Sequence, residues 1–174
     1  MREFRGYPNA LTRLAPGAKL LYLSFILFTL VGLLGTVLLY ADGWGWGIDS
    51  AADYVLGNEG DPNAAEMLFP KPTRELLETS HFHLFTIPVT LLVLAHLFLL
   101  ARGGAWKNWV VGAAIALTAV HMAGPWLIHL MGRGLGWIMP LTAWPFMAVL
   151  VFMALWPLPD LRPWIKQAPP PPPP

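Results

Sequence analysis

The architecture of this chain is set by residues 19–41, KLLYLSFILFTLVGLLGTVLLYA, a predominantly apolar run. About 20 such residues in a helix cross a hydrocarbon core about 30 Å thick. Three further runs of similar length follow at about 80–101, 108–131 and 137–157. We therefore predict an all-α, integral membrane four-helix bundle. It forms a single domain over residues 1–166, with an outer loop at 42–79 and a Pro-rich tail at 167–174.

The composition agrees with lipid as the solvent, because 56% of the 174 residues are hydrophobic and only 12% are charged. The absence of cysteine excludes disulfides, thiolate-held iron–sulfur clusters and covalent c-type haem attachment. Any metal must therefore be held by His, Met, carboxylate or backbone groups. The net charge of +1, without a basic stripe, predicts no nucleic-acid partner. No motif of a soluble enzyme is present, so an enzymatic activity stays undecided.

The basic residues predict the orientation of the chain in the membrane. Eight of the eleven Lys and Arg residues lie on one side of the four runs: Arg2, Arg5, Arg13, Lys19, Arg102, Lys107, Arg162 and Lys166. By the positive-inside rule this side is cytoplasmic, which puts both termini in the cytoplasm. Eight of the ten acidic residues lie in the outer loop at 42–79. We expect the protein in a bacterial inner membrane with an acidic outer face.

The segment FPKPTRELLETSHFHLFTIP, residues 69–88, carries a helix start ahead of the second span. Pro72 followed by Thr73 suggests a helix with Thr73 as N-cap, which would begin outside the membrane and continue directly into the span. Pro88 cannot donate a hydrogen bond to the carbonyl of Leu84, so we expect a kink one turn below the histidines.

All five histidines lie in the second and third spans, and each is a candidate cofactor ligand: His81, His83, His96, His121 and His129. Ionisable groups are costly inside a membrane, so a functional site is the first hypothesis for such a set. The competing interpretation is structural. Histidines near the water could sit at the interface, and deeper ones could hydrogen-bond a neighbouring helix.

The short link at 103–105 predicts an antiparallel hairpin of spans two and three. Residues equidistant from this link share a depth, which puts His81 and His83 level with His129, while His96 lies nearer the cytoplasmic side. At about 100° per residue, His81 and His83 point to opposite sides of their helix. Either His81 faces inward together with His96, His121 and His129, or His83 faces inward and His81 does not.

Histidines on facing membrane helices, without cysteine, suit a b-type haem, which takes two neutral imidazoles as axial ligands. The layout resembles that of membrane b-type cytochromes, and the segment around His81-Phe82-His83 is similar to one shared by uncharacterised bacterial four-span membrane proteins. The resemblance implies haem b and electron transfer between the quinone pool and an outer-face partner. A c-type cytochrome, steered by the acidic loop, or other membrane redox subunits would be such partners.

Two alternatives remain open. The chain could be a non-catalytic accessory or structural subunit of a larger membrane redox or photosynthetic complex, with its histidines hydrogen-bonded or covering a cofactor of a neighbour. It could also hold Cu or Zn through His81, His83, His129 and Glu78. The metal site would require the helix to unwind at the membrane edge, because a helix splays the two side chains of a His-x-His pair apart.

Overall fold

The computed structural model describes residues 10–44 and 47–162, which contain α-helices and short 3-10 and π-helical turns but no strand. The helices are α1 Pro16–Leu39, α2 Ile48–Leu56, α3 Thr73–Leu100, α4 Lys107–Met131, α5 Ile138–Leu155 and α6 Leu158–Leu161. The all-α prediction is confirmed. The predicted Pro-rich tail at 167–174 lies outside the described residues, as do the ends of the predicted domain at 1–9 and 163–166.

Four helical segments are long and apolar enough to cross a membrane: Pro16–Asp42, Thr73–Leu100, Lys107–Met131 and Arg133–Leu161. They contain α1, α3, α4 and α5, so the predicted four-helix bundle is confirmed. Helices α3, α4 and α5 pack against one another, and α1 packs mainly against α5. Large apolar side chains of α1, such as Phe28 and Leu39, remain on the outer surface. A surface of this kind is stable in hydrocarbon.

The outer loop is more ordered than its turn-rich sequence indicated, because α2 forms within it at Ile48–Leu56. Glycines flank this helix on both sides and hide its short apolar pattern in the sequence. Ala51, Ala52 and Val55 are nevertheless buried. They lie against α4 and α5, so part of the outer loop caps the bundle.

Helix α3 begins at Thr73 and continues to Leu100 without interruption at Pro88. The predicted run from the outer loop into the second span is therefore present. The N-cap assignment was wrong, because Pro72 occupies that position and the Thr73 side chain makes no cap hydrogen bond. The Thr73 hydroxyl instead lies 3.4 Å from Nε2 of His129.

We name the two ends of the bundle by their charge. The acidic end comprises residues 42–72 and 132–136, where Arg133 pairs with Asp53 and also donates to the carbonyl of Gly57. Burial alone would lower the pKa of the Lys71 ammonium at this end. The hydrogen bond to Glu75 and the charge of Tyr54 outweigh that effect and raise its pKa above the usual value.

The basic end comprises residues 101–106 and the end of the chain around Arg162. Nζ of Lys107 donates to the carbonyls of Phe98 at 3.0 Å and Leu99 at 2.8 Å, and also to that of Ala101. The backbone nitrogen of Arg102 donates to the buried carboxylate of Asp160 at 2.8 Å, and its side chain pairs with the same group at 2.5 Å. These contacts hold the α3–α4 link against the end of α5.

Candidate functional site

Of the histidine pair at the start of the second span, His83 lies on the inward face of α3. Leu76 and Leu94 are 5% and 0% exposed. They lie seven residues before and eleven residues after His83, and both spacings return to the same face of a helix. His83 itself is exposed. The inward stripe of α3 is therefore closed above and below His83 and open beside it.

The imidazole of His83 is held by its own helix. Its Nδ1 lies 2.7 Å from the carbonyl oxygen of Thr79, one turn earlier. A carbonyl can only accept a hydrogen bond, so Nδ1 carries the proton in the neutral ring. Nε2 of His83 is then the unprotonated nitrogen with an available lone pair, which is the form that binds a metal.

His121 on α4 has the same arrangement with a different partner. Its Nδ1 lies 2.9 Å from the Thr142 hydroxyl on α5. That hydroxyl has one hydrogen and donates it to the carbonyl of Ile138 at 2.7 Å, so it accepts from His121. The proton of His121 is therefore on Nδ1, and Nε2 carries the lone pair.

Aromatic rings surround His121. Its ring stacks on Phe146 with centroids 5.6 Å apart and a 29° interplanar angle, and the Tyr40 ring lies 6.4 Å away. His83 is near enough for its charge to act on His121. The structure thus places two histidines of equivalent tautomer, from α3 and α4, in electrostatic contact with each other.

His129 does not join His81 and His83, contrary to the depth predicted from the hairpin. It contacts Thr73, eight residues before His81 and therefore about 12 Å further along α3. The register is fixed by Trp126, whose Nε1 donates to the Ser80 hydroxyl at 2.7 Å. The depth count failed because it treated the link as a symmetric turn, whereas side-chain contacts offset α3 against α4.

His81 and His96 lie on the outer side of α3. The His81 ring meets Phe85 edge-on at 5.1 Å, and His96 is exposed along the boundary between α3 and α4. The first of the two predicted inward sets, His81 with His96, His121 and His129, is therefore not formed. The second alternative, in which His83 faces inward and His81 does not, is the one that the structure has.

The residues proposed for Cu or Zn are not assembled. Within residues 10–44 and 47–162, no three His, Cys, Asp or Glu side chains are grouped so that they could hold a metal ion. Glu78 is occupied by Arg74, whose Nε lies 2.8 Å from its carboxylate. Helix α3 also remains wound through His81 and His83. The unwinding that the metal site required is absent.

Thr142 belongs to the site although the sequence analysis did not select it. It is the only Ser or Thr residue in the apolar run 137–157. A lone hydroxyl in a membrane helix commonly hydrogen-bonds its own backbone or a polar side chain on the next helix. Combined with His121 in the neighbouring span, that hydroxyl was the available signal for a His–Thr contact.

A family model named Aq_1264_TM, described as a transmembrane helical domain, matches residues 45–169 of this chain. The match covers more than two thirds of the sequence and includes α2 to α6. The chain belongs to this family. No match was found among curated proteins or among solved structures.

Membership in the Aq_1264_TM family agrees with the four long apolar helices, and the protein is an integral membrane protein. The matched region contains all five histidines. Helix α1 lies before it, which agrees with the peripheral packing of α1 against the other three long helices.

Proposed function

We propose that this protein is a membrane electron-transfer subunit that holds one haem b, with His83 and His121 as its axial ligands. The observation that carries the proposal is the shared tautomer of the two rings. Each uses Nδ1–H on a fixed oxygen acceptor, Thr79 or Thr142, and each keeps Nε2 unprotonated. A hydrogen bond of this kind at the other ring nitrogen is the usual support of a metal-binding histidine.

The donor set fits haem better than a bare ion. Haem brings four equatorial nitrogens and needs only one or two axial ligands from the protein. A site with two available imidazoles and no third ligand therefore suits haem, whereas a structural Zn ion takes four ligands. The rings of Tyr40 and Phe146 beside His121 supply apolar walls. When bound, haem b would supply a one-electron redox couple.

The position of the pair favours exchange with a partner at the acidic end. His83 lies ten residues from the start of α3, about 15 Å along its axis. The loop at that end carries exposed carboxylates, among them Asp49, Glu59, Asp61 and Glu66. Such a surface steers a basic protein, so a c-type cytochrome would receive electrons that originate in the quinone pool.

The test is the absorption spectrum of protein purified from haem-replete membranes. We expect a Soret band and a reduced-minus-oxidised spectrum of the b type. His83→Leu and His121→Leu should each lose most of this signal. His81→Leu and His129→Leu are the matched controls on the same two helices and should keep it. A preparation without a Soret band, or equal loss in the controls, would overturn the proposal.

A second function is favoured by the exposure of His81 and His96. Both imidazoles lie on the outer side of α3, where the isolated chain would place them against lipid. Polar groups in that position are costly unless something covers them. The alternative is therefore a non-catalytic accessory subunit whose α3 face packs against another membrane protein.

Native electrophoresis of mildly solubilised membranes separates the two proposals. An accessory subunit should migrate in a complex, and cross-links from an introduced cysteine at Leu92 on the outer α3 surface should reach the neighbour. Migration as a single chain, with no cross-linked product in the membrane, would count against it.

A further inference from the structure

A long groove, here called the α3–α4 groove, runs along the outer boundary of these two helices. Its volume is about 850 Å³, which lies in the range of natural ligand sites. On α3 its lining extends from Ser80 to Leu99, and on α4 from Val111 to Trp126. Nineteen residues separate the two lining positions on α3, which corresponds to about 28 Å of helix. The groove is elongated rather than compact.

The lining is almost entirely apolar. No Asp, Glu, Lys or Arg is among its described lining residues. Small residues on α4, Ala119 and Ala123, leave space between the helices. A ligand that fits this lining has a long hydrocarbon body, and its head group is neutral because no cation is present to pair with a carboxylate or phosphate.

Three hydrogen-bonding side chains other than Trp126 line the groove, and two of them have partners within the protein. The Ser80 hydroxyl accepts from Trp126 and closes the groove at the acidic end. The buried Thr118 hydroxyl donates to the carbonyl of Ala114 at 2.7 Å. The third is the exposed imidazole of His96, four residues or about 6 Å from the end of α3. The polar contact for a head group is therefore at His96.

We infer that the α3–α4 groove binds an isoprenoid quinone. The imidazole of His96 donates a hydrogen bond to a carbonyl oxygen of the quinone ring, and the isoprenoid chain follows the apolar lining toward Ser80 and Trp126. A quinone has the required neutral head with hydrogen-bond acceptors and a long hydrocarbon chain.

The groove is distinct from the proposed haem site. His96 and His83 are thirteen residues apart on α3, so their side chains diverge by about 140° around the helix. The quinone site can therefore exist without haem, and the haem site without quinone. The binding experiment does not use haem absorbance, so the two proposals succeed or fail separately.

The experiment measures binding of ubiquinone-2 to the purified full chain in detergent, by equilibrium dialysis and extraction of the bound quinone. We expect about one quinone per chain. Ala119→Phe fills the groove and should weaken binding at least tenfold, whereas Ala116→Phe, at an exposed position of α4 outside the lining, should not change it. His96→Leu removes one hydrogen bond and should weaken binding about tenfold. His81→Leu is its control and should bind normally.

Competition distinguishes quinone from ordinary lipid. Phosphatidylcholine added in excess should not displace ubiquinone-2. Displacement by phosphatidylcholine at comparable concentration would show a groove filled by bilayer lipid and would overturn the inference. Unchanged binding in His96→Leu together with Ala119→Phe would do so as well. His96 is exposed, so His96→Leu keeps the test decisive even where Ala119→Phe fails to fold.

Discussion

Lys107 carries its ammonium group to 4% exposure at the basic end, where it satisfies the last carbonyls of α3. The final four carbonyls of a helix have no partner within that helix, and a cation at this end also opposes the negative pole of the helix dipole. One side chain from the start of α4 thus terminates α3. It fixes the link between the two helices that carry all the histidines.

Lys107→Met should therefore destabilise the protein by about 2 kcal/mol, since hydrogen bonds to charged groups are worth more than neutral ones. The measurement is denaturant unfolding in detergent. Arg74→Met is the control, because Arg74 and Glu78 form an exposed pair and such pairs contribute at most about 1 kcal/mol. Equal loss in the two variants would contradict the assigned role of Lys107.

Thr142 is expected to control the tautomer of His121. Thr142→Val keeps the shape but removes the acceptor, which leaves the Nδ1–H group of His121 without its partner and should cost about 1 to 2 kcal/mol. Thr142→Ser retains the hydroxyl and should stay near the wild type. The nitrogen-15 shifts of His121 report which ring nitrogen carries the proton. Unchanged shifts in Thr142→Val would show that Thr142 does not determine the tautomer.

Sequence reasoning reached the five histidines but could not choose between His81 and His83. The spacing shows that the two rings diverge, but only the packing of Leu76 and Leu94 shows which direction is inward. Likewise, His121 was in the predicted set, but its contact with Thr142 depends on how α4 and α5 are offset. Helical periodicity determines relative angles along one helix and carries no information about the register between two.

Helix α2 depends on Gly57, which ends it in a backbone conformation with φ of 75° and ψ of 168°. This region is accessible essentially to glycine alone. A Cβ at Gly57 would also lie 2.7 Å from the Pro70 ring and 2.9 Å from the carbonyl oxygen of Leu68. The return segment of the loop thus passes directly over the end of α2.

Gly57→Ala should therefore detach the outer loop from the bundle and leave the long helices in place. We expect much faster proteolysis and amide hydrogen exchange within residues 48–72, with little change in α3 to α5. Gly60→Ala is the matched control, because nothing lies within 4 Å of a Cβ there. Similar protection in the two variants would contradict a tight turn at Gly57.

The four long helices could be predicted because span length and hydropathy are properties of single segments. The short helix α2 could not, because its order comes from contacts of Ala51, Ala52 and Val55 with the bundle. The start of α3 at Thr73 was visible in the sequence, whereas its cap was not. What depends on one segment alone was predictable, and what depends on two segments in contact was not.

Across the whole molecule, charge and order differ between the two ends of the bundle. The acidic end is covered by α2 and its return segment, which Arg133 ties to the α4–α5 turn. The basic end has only the short link and the Arg102–Asp160 contact. A docking partner steered by charge therefore meets a folded acidic surface at one end, and the proposed electron transfer requires that end to face outward.

The positive-inside rule gives this requirement a direct test, and the absence of native cysteine makes the labelling unambiguous. Gly60→Cys at the acidic end should react with a membrane-impermeant maleimide in intact bacterial spheroplasts. Gly104→Cys at the basic end should react only after the membrane is opened. Neither position is crowded, because a Cβ at Gly60 meets nothing within 4 Å and one at Gly104 meets Trp106 at 3.5 Å. The reverse labelling pattern would put the acidic loop in the cytoplasm, where a c-type cytochrome could not reach it, and would remove the partner from the proposed function while leaving the haem ligands untouched.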